Sequence, residues 1–322
     1  MRGLPKWLLL AFACLTLTVG ASAQDFPTKP LNIVVPYPPA SGPDLWARVL
    51  GPKLSEQFRQ PVIITNIAAA AGVQAGVTVL KAPADGHTLF MGDTSVLIVA
   101  SYLIKNMPYE PLKAFRPVAL IGQLPYAIAA SSKNNIRSLE DLIREAKANP
   151  GKLFYGSSGY GSNHHIVMEA FKQATGIQIN HIPYKGGAAS VLALVEGEVH
   201  VSMTSPASLG SNVTSGLARI LAVTTGSRFP MLPDVPPISD TVPGFDFTSE
   251  PGIVVAAETP TKVVEKLSVA IKVALDMPDV KAGFDKVGTI PKYGDSAEYA
   301  ENLRVNAAKF DKAIKFANIQ PE

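Results

Sequence analysis

Cysteine is almost absent: among 322 residues the only thiol is Cys14. It falls inside residues 1–23, which read as a secretory signal, with Arg2 and Lys6 as a positive start, Trp7–Val19 as an apolar core and Ala21-Ser22-Ala23 as a small-residue cleavage site. Cleavage after Ala23 would release a periplasmic chain with no disulfide, no thiol nucleophile and no thiolate metal site. Lipidation at Cys14 is the weaker reading, because Phe12 stands where a small residue is wanted.

Long apolar runs are missing too, since Trp7–Val19 is too short to span a bilayer comfortably. Nor does one sign of charge dominate. The 29 basic and 26 acidic residues give +3, and losing Arg2 and Lys6 leaves 27 against 26, or +1. A chain so near neutrality lacks the basic face of a nucleic-acid binder, so no nucleic acid is expected as a partner. Neither a fixed-period repeat nor a low-complexity segment is visible. About 300 mature residues can bury most of their unfolded surface, and that length usually divides into two domains.

What the chain does have is one local pattern used four times. In Leu153–Gly176 an apolar run stops at Gly156, Ser157, Ser158, Gly159, Gly161 and Ser162, and a helical pattern follows with Ile166, Val167, Ala170, Phe171 and Ala174 on one face. Strand, small-residue loop, helix is a device that receives an anion on backbone amides without a cationic side chain. The same punctuation follows Leu31–Val35 (Tyr37, Pro38, Ala40, Ser41, Asp44), Leu89–Met91 (Thr94, Ser95) and Ile177–Ile182 (Tyr184, Lys185, Gly186). A further strand, Val199–Met203, ends in Thr204-Ser205. Strands alternating with helices predict an α/β fold with mostly parallel sheets, in which ligands sit at the carboxyl ends of strands.

Catalytic chemistry is harder to find. Gly159-x-Gly161 has His164 where a dinucleotide fingerprint needs its third glycine, and Gly156-Ser157-Ser158-Gly159 has the wrong spacing for a nucleophile elbow. His164 and His165 are adjacent and so point about 100° apart on a helix, with no carboxylate spaced to complete a metal site. Lys185 is the one cation in the four loops, while Asp44 and the serines and threonines have a competing role as helix caps. No convincing pair of catalytic carboxylates or of base and nucleophile stands out. The expectation is a binding site without cofactor, metal or catalytic residues.

With these loops in view, the chain resembles the periplasmic solute-binding receptors of tripartite tricarboxylate transporters, the Bug or TctC family. The matching pieces, in order, are VVPYPPASGPDLWAR, LKAPADGHTLFMG, LIREAKANPGKLFYGSSGYGSNHH, INHIPYKGGAA, GEVHVSM, ILAVTTGSRFPMLPDVPPISD and ETPTKVVEKL. The resemblance implies a two-lobed Venus-flytrap fold of type II topology, with residues 24–124 and about 250–322 in one lobe and 125–249 in the other. It implies a small carboxylate or related solute clamped between the lobes, and the two membrane subunits of such a transporter as partners of what is expected to be a monomer. The chain departs from the family at Ala40-Ser41, where Gly-Gly is usual, at Ala68–Ala71 in place of a glycine-rich run, at His87 in place of Tyr, and at Glu250 in place of Trp before the late strand. Glu250 and Ser41 are therefore expected near the cleft as selectors of the solute. Two other readings stay open: an exported hydrolase or isomerase using Lys185 or His164 as base, and a sensory receptor serving a membrane kinase.

Overall fold

The computed structural model describes residues 26–321, so the secretory-signal reading of residues 1–23 lies outside the described residues. The chain first lays down β1 (Leu31–Val35), β2 (Val62–Asn66), β3 (Thr88–Gly92) and the long β4 (Phe115–Pro125). It then builds a second sheet from β5 (Ala127–Ser131), β6 (Phe154–Ser157), β7 (Asn180–Pro183), β8 (Val201–Thr204) and β9 (Ala218–Val223), and returns with β10 (Thr248–Ser249), β11 (Gly252–Ala256) and β12 (Ile290–Gly294) to complete the first. Both sheets are flanked by helices, giving the two lobes of an α/β fold.

The runs of β1, β3, β5 and β11 are buried on both faces, which is why they read as continuous rather than alternating. In β1, Leu31, Ile33 and Val35 face a core shared with Trp46, Leu50, Leu54, Leu267, Ile271 and Phe284, while Val34 turns to the opposite core. Phe90 and Val254 turn the same way as Val34, between Leu89 and Met91 and between Ile253 and Val255. That second core continues into the other lobe through Phe171, Phe245 and Phe310.

The sheets are mixed, with four strands of each running one way and an inserted strand running against them. β1 pairs in parallel with β2 and β3, as β6 does with β7 and β8. However, β11 enters between β3 and β4 antiparallel to both, and β5 enters between β8 and β9 in the same manner. The reason is topological: β5 arrives directly from the first lobe and β11 arrives from the second, so each comes against the direction set by the strand–helix–strand units. The order is the same in both sheets, namely second, first, third, inserted and fourth strand, as the type II expectation requires.

The two crossings are clipped together by one hydroxyl. Thr224, fully buried, accepts from the Tyr126 amide at 2.9 Å and lies 2.5 Å from the Phe247 carbonyl, to which it donates. Its backbone exchanges a further bond with each strand, N to Tyr126 O at 3.0 Å and O from Phe247 N at 2.9 Å. The terminal helix Ser296–Phe316, capped by Asp295, packs on β4 and also on the helix Asn163–Thr175 of the other lobe. An aromatic chain joins the same parts, Phe171 to Phe245 (6.2 Å), Phe245 to Phe247 (5.0 Å) and Phe247 to Phe310 (5.5 Å). The entry arm is pinned by His87, whose Nε2 accepts from the Thr28 amide at 3.1 Å and whose ring meets Phe26.

Replacing Thr224 with Val keeps the volume and strands the Tyr126 amide. Urea unfolding of Thr224→Val is expected to show a loss of about 1–3 kcal/mol, the cost of an unpaired buried donor. An unchanged midpoint would show that the clip contributes nothing.

Candidate functional site

A cavity of about 560 Å³ lies between the lobes, bounded by the loops that end β1, β2, β3, β6 and β8 and by the crossing strands. From the first lobe come Pro36, Tyr37, Pro38, Ala68 and Ala71, then one side of the helical run that follows β3: Ser95, Val96, Val99, Ala100, Leu103 and Ile104. Leu124, Pro125, Tyr126 and Ser249 form the floor at the crossing, and residues 158–164 with Ser205 supply the second lobe's wall. No Lys, Arg, Asp or Glu lines it.

The first wall is organised by Asp93, which sequence reasoning missed although it directly precedes the expected Thr94 and Ser95. Its buried carboxylate accepts from the Ser95 and Val96 amides at 2.9 and 3.2 Å and from the Tyr37 hydroxyl at 2.9 Å. Burial raises the pKa of Asp93 against the lowering effect of those bonds, and burial together with the Asp93 charge raises that of Tyr37. Beyond Asp93 the helix is loosely wound at first, the Ala100 amide reaching back five residues to the Ser95 carbonyl.

The second wall is a loop held from behind by neutral histidines. Ser157, fully buried, exchanges bonds with Gly159 and contacts His181 Nε2 at 2.7 Å. The Gly161 amide donates to His165 Nδ1 at 3.0 Å, and the His165 and His181 rings stack at 3.9 Å. Such a bond needs an unprotonated Nδ1. Gly161 sits at φ 70° and a side chain there would strike Leu103, so the position needs glycine on both counts. Ser162 caps the helix Asn163–Thr175: its Oγ accepts from the His165 amide and its carbonyl from the Ile166 amide. The amides of Asn163 and His164 are left without an intrahelical acceptor. Glu169 fixes this helix to β6 by accepting from the Tyr155 hydroxyl and Lys172, each at 2.6 Å.

The walls meet at Asn163, a second residue that sequence reasoning missed although it directly follows the expected cap. Its Nδ2 donates to Ser95 Oγ in the opposite lobe and to the Tyr126 hydroxyl on the floor, both at 2.9 Å, while Oδ1 is buried without a partner. Only a folded structure reveals this, because the three residues belong to separate segments of the chain.

Of the expected site residues, Tyr37, Pro38, Ser95, Ser158, Gly159, Gly161, Ser162, His164 and Ser205 line the cavity. The others stand outside its lining. Asp44 is buried as a brace, accepting from the Ala40 amide, Arg48 and Asn66. Burial opposes its ionisation, but these bonds prevail and hold its pKa below the usual value. Ala40 is exposed at φ 65°, and Ser41 bonds to the Pro38 carbonyl. Thr94 accepts from the Glu250 amide at 3.2 Å. Tyr184 turns to Glu198, Lys185 is exposed, and Gly186 donates to the Ser158 carbonyl, bracing the loop. Thr204 is fully buried at the end of β8. Glu250 also stands outside the lining: its carboxylate accepts from Asn306 of the terminal helix at 2.8 Å, and burial raises its pKa.

A serine–histidine contact does exist, contrary to the sequence reading. Ser158 Oγ lies 2.6 Å from His164 Nδ1. Burial lowers the His164 pKa to about 4, which makes it a poor base near neutrality, and its ring packs edge-on against Tyr126 at 5.3 Å with no carboxylate bonded to it among the described residues.

Residues 46–319 match the family model described as "Tripartite tricarboxylate transporter family receptor". The chain is 32% identical over 95% of its length to a Pseudomonas sp. (strain P51) protein encoded in the tcbD-tcbE intergenic region, covering 91% of that protein. It is 33% identical to Protein BugT of Bordetella pertussis over 84% of this chain and 83% of BugT. Among solved structures, R. palustris Rpa4515 with adipate superposes with a TM-score of 0.77 at 32% identity, covering 92% of this chain and all of that one.

The histidines behind the loop carry a pH prediction. Burial lowers the pKa of His165 to about 4 and of His181 to about 3, with the Lys172 charge acting the same way, against an ordinary value of 6.5. The unfolded chain therefore takes up protons at higher pH than the native one, so stability is full above about pH 6.5 and falls as pH drops toward 4. Melting temperature is expected to fall by several degrees, roughly 5 °C or more, between pH 7.5 and 4.5. Asp93 and Glu250, whose pKa values are raised, act in the opposite direction over part of this range. His181→Asn isolates the histidine contribution: a curve as steep as that of the parent chain would sink the assignment.

Proposed function

This chain belongs to the tripartite tricarboxylate transporter receptor family, and on that premise we propose that it captures a small carboxylate in the cleft between its lobes. The observation that carries the reading is the helix start at Asn163 and His164, which lines a cavity whose other polar groups are hydroxyls, a side-chain amide and a neutral imidazole. Helix-start amides carry partial positive charge, and in a cleft shielded from water they receive an anion without a lysine or arginine. The relative solved with adipate supports the carboxylate class.

Ser158, Ser95 and Tyr126 would complete the solute's hydrogen bonds, and Asn163, which already spans the lobes, would report occupancy by holding them together. The lobes move about the Thr224 clip, and a solute favours the closed form only through the contacts it gains there. The closed form is then recognised by the membrane subunits of a tripartite transporter. Export by the N-terminal signal, cleavage after Ala23 and action as a monomer complete the proposal. No helix among the described residues is long and apolar enough to cross a membrane.

The test is a binding titration on the mature chain. A carboxylate bound only by the folded state at about 100 times its dissociation constant should add about 2.7 kcal/mol of stability, visible as a shifted melt. Asn163→Leu is expected to weaken that solute by about tenfold or more, the equivalent of 1.4 kcal/mol, and Lys185→Ala to leave affinity within about twofold. A large loss in Lys185→Ala with none in Asn163→Leu would move the site away from this cavity.

A further inference from the structure

Of the helix starts at this cavity, the two joined by the Asn163–Ser95 bond differ in what their amides meet. At the first, the amides of Ser95 and Val96 are already taken by the Asp93 carboxylate, an internal anion seated where a ligand's charge would go. At the second, Ser162 engages the His165 and Ile166 amides, leaving those of Asn163 and His164 without an acceptor in the helix. No charged side chain lines the space. Of these two, only the start at Asn163 offers amides to a solute's negative charge.

Away from that place the wall is apolar and ordered. Val96, Val99, Ala100, Leu103 and Ile104 recur at helical spacing along the run that begins at Ser95, so they form one stripe facing the cavity. At up to 1.5 Å per residue its far end lies on the order of 10 Å from Ser95. Leu103 closes against Gly161 of the opposite loop, which extends the apolar surface across both lobes. Lys105, the next cation along the chain, is exposed and does not line the cavity.

We infer that, within the receptor reading on which this rests, the cavity selects monocarboxylates with an extended apolar body over dicarboxylates of the same length. The carboxylate sits at the Asn163 and His164 amides, and the body lies along the stripe from Val96 to Ile104. A second carboxylate at the far end would lose its water against Val99, Leu103 and Ile104 and gain neither donor nor cation in return.

Calorimetric titration of the mature chain with octanoate, and with suberate as its counterpart carrying a carboxylate at each end, tests this. Octanoate is expected to bind once per chain and at least about tenfold more tightly than suberate. In Ile104→Asn, with its melt checked first, octanoate should weaken by about tenfold and the gap to suberate should narrow. Should that variant not fold, the comparison in the parent chain decides alone. Suberate or malate binding as tightly as octanoate, or binding where octanoate does not, overturns the inference and leaves the receptor reading standing. No heat from any of the three, in a chain that melts cooperatively, overturns both.

Discussion

Each sheet is completed by a strand that the chain delivers from the other lobe, and most of the architecture follows from that. Because β5 and β11 run against their neighbours, neither sheet closes without the crossing. The crossing backbones must therefore find hydrogen-bond partners where they leave one lobe for the other, and Thr224 supplies them to both at once. The strands that carry ligand loops, β1, β3, β6 and β8, run in parallel within each lobe, so their carboxyl ends open on the same space between the lobes. The cleft is a consequence of topology before any side chain is considered.

What fills that cleft with chemical character is neutrality. Charged groups come close but are all spent on the protein itself. Asp93 neutralises one helix start, Asp44 braces the loop after β1, Glu169 ties the helix Asn163–Thr175 to β6, and Glu250 meets the terminal helix. The histidines behind the loop are kept uncharged by burial, which lets the Gly161 amide use one as an acceptor. A wall of hydroxyls, amides and apolar carbons then discriminates solutes by shape and by where a single negative charge can be met.

Much of this was legible in the sequence, and the limits have physical causes. Strand-then-glycine-then-helix punctuation found the four loops, because small residues and cap residues are local requirements of the backbone. It placed Ser158, Gly159, Gly161, Ser162 and His164 together, and they do share the cavity. It did not reveal Asn163 bridging to Ser95, or Ser158 meeting His164, since those contacts depend on helix orientation across a fold. Asp44, Thr94, Ser157 and Thr204 belong to the same loops but are buried outside the cavity lining, and residue type alone cannot separate the two sides of a junction. The reversed direction of β5 and β11 was not legible, because alternation of elements is blind to which lobe a strand came from.

Three alanines in left-handed turns connect these levels. Ala40, Ala70 and Ala71 keep left-handed backbone angles, φ 65°, 50° and 50°, which an L side chain adopts at a cost of roughly 1–2 kcal/mol each. Part of that is offset by the smaller entropy an alanine loses on folding compared with a glycine. Ala71 lines the cavity, so its methyl group adds apolar contact opposite the stripe from Val96 to Ile104 in a space that has no cation. A backbone that holds a strained turn in order to present a methyl group there fits a cleft specialised for an apolar body more closely than one built to meet a second charge.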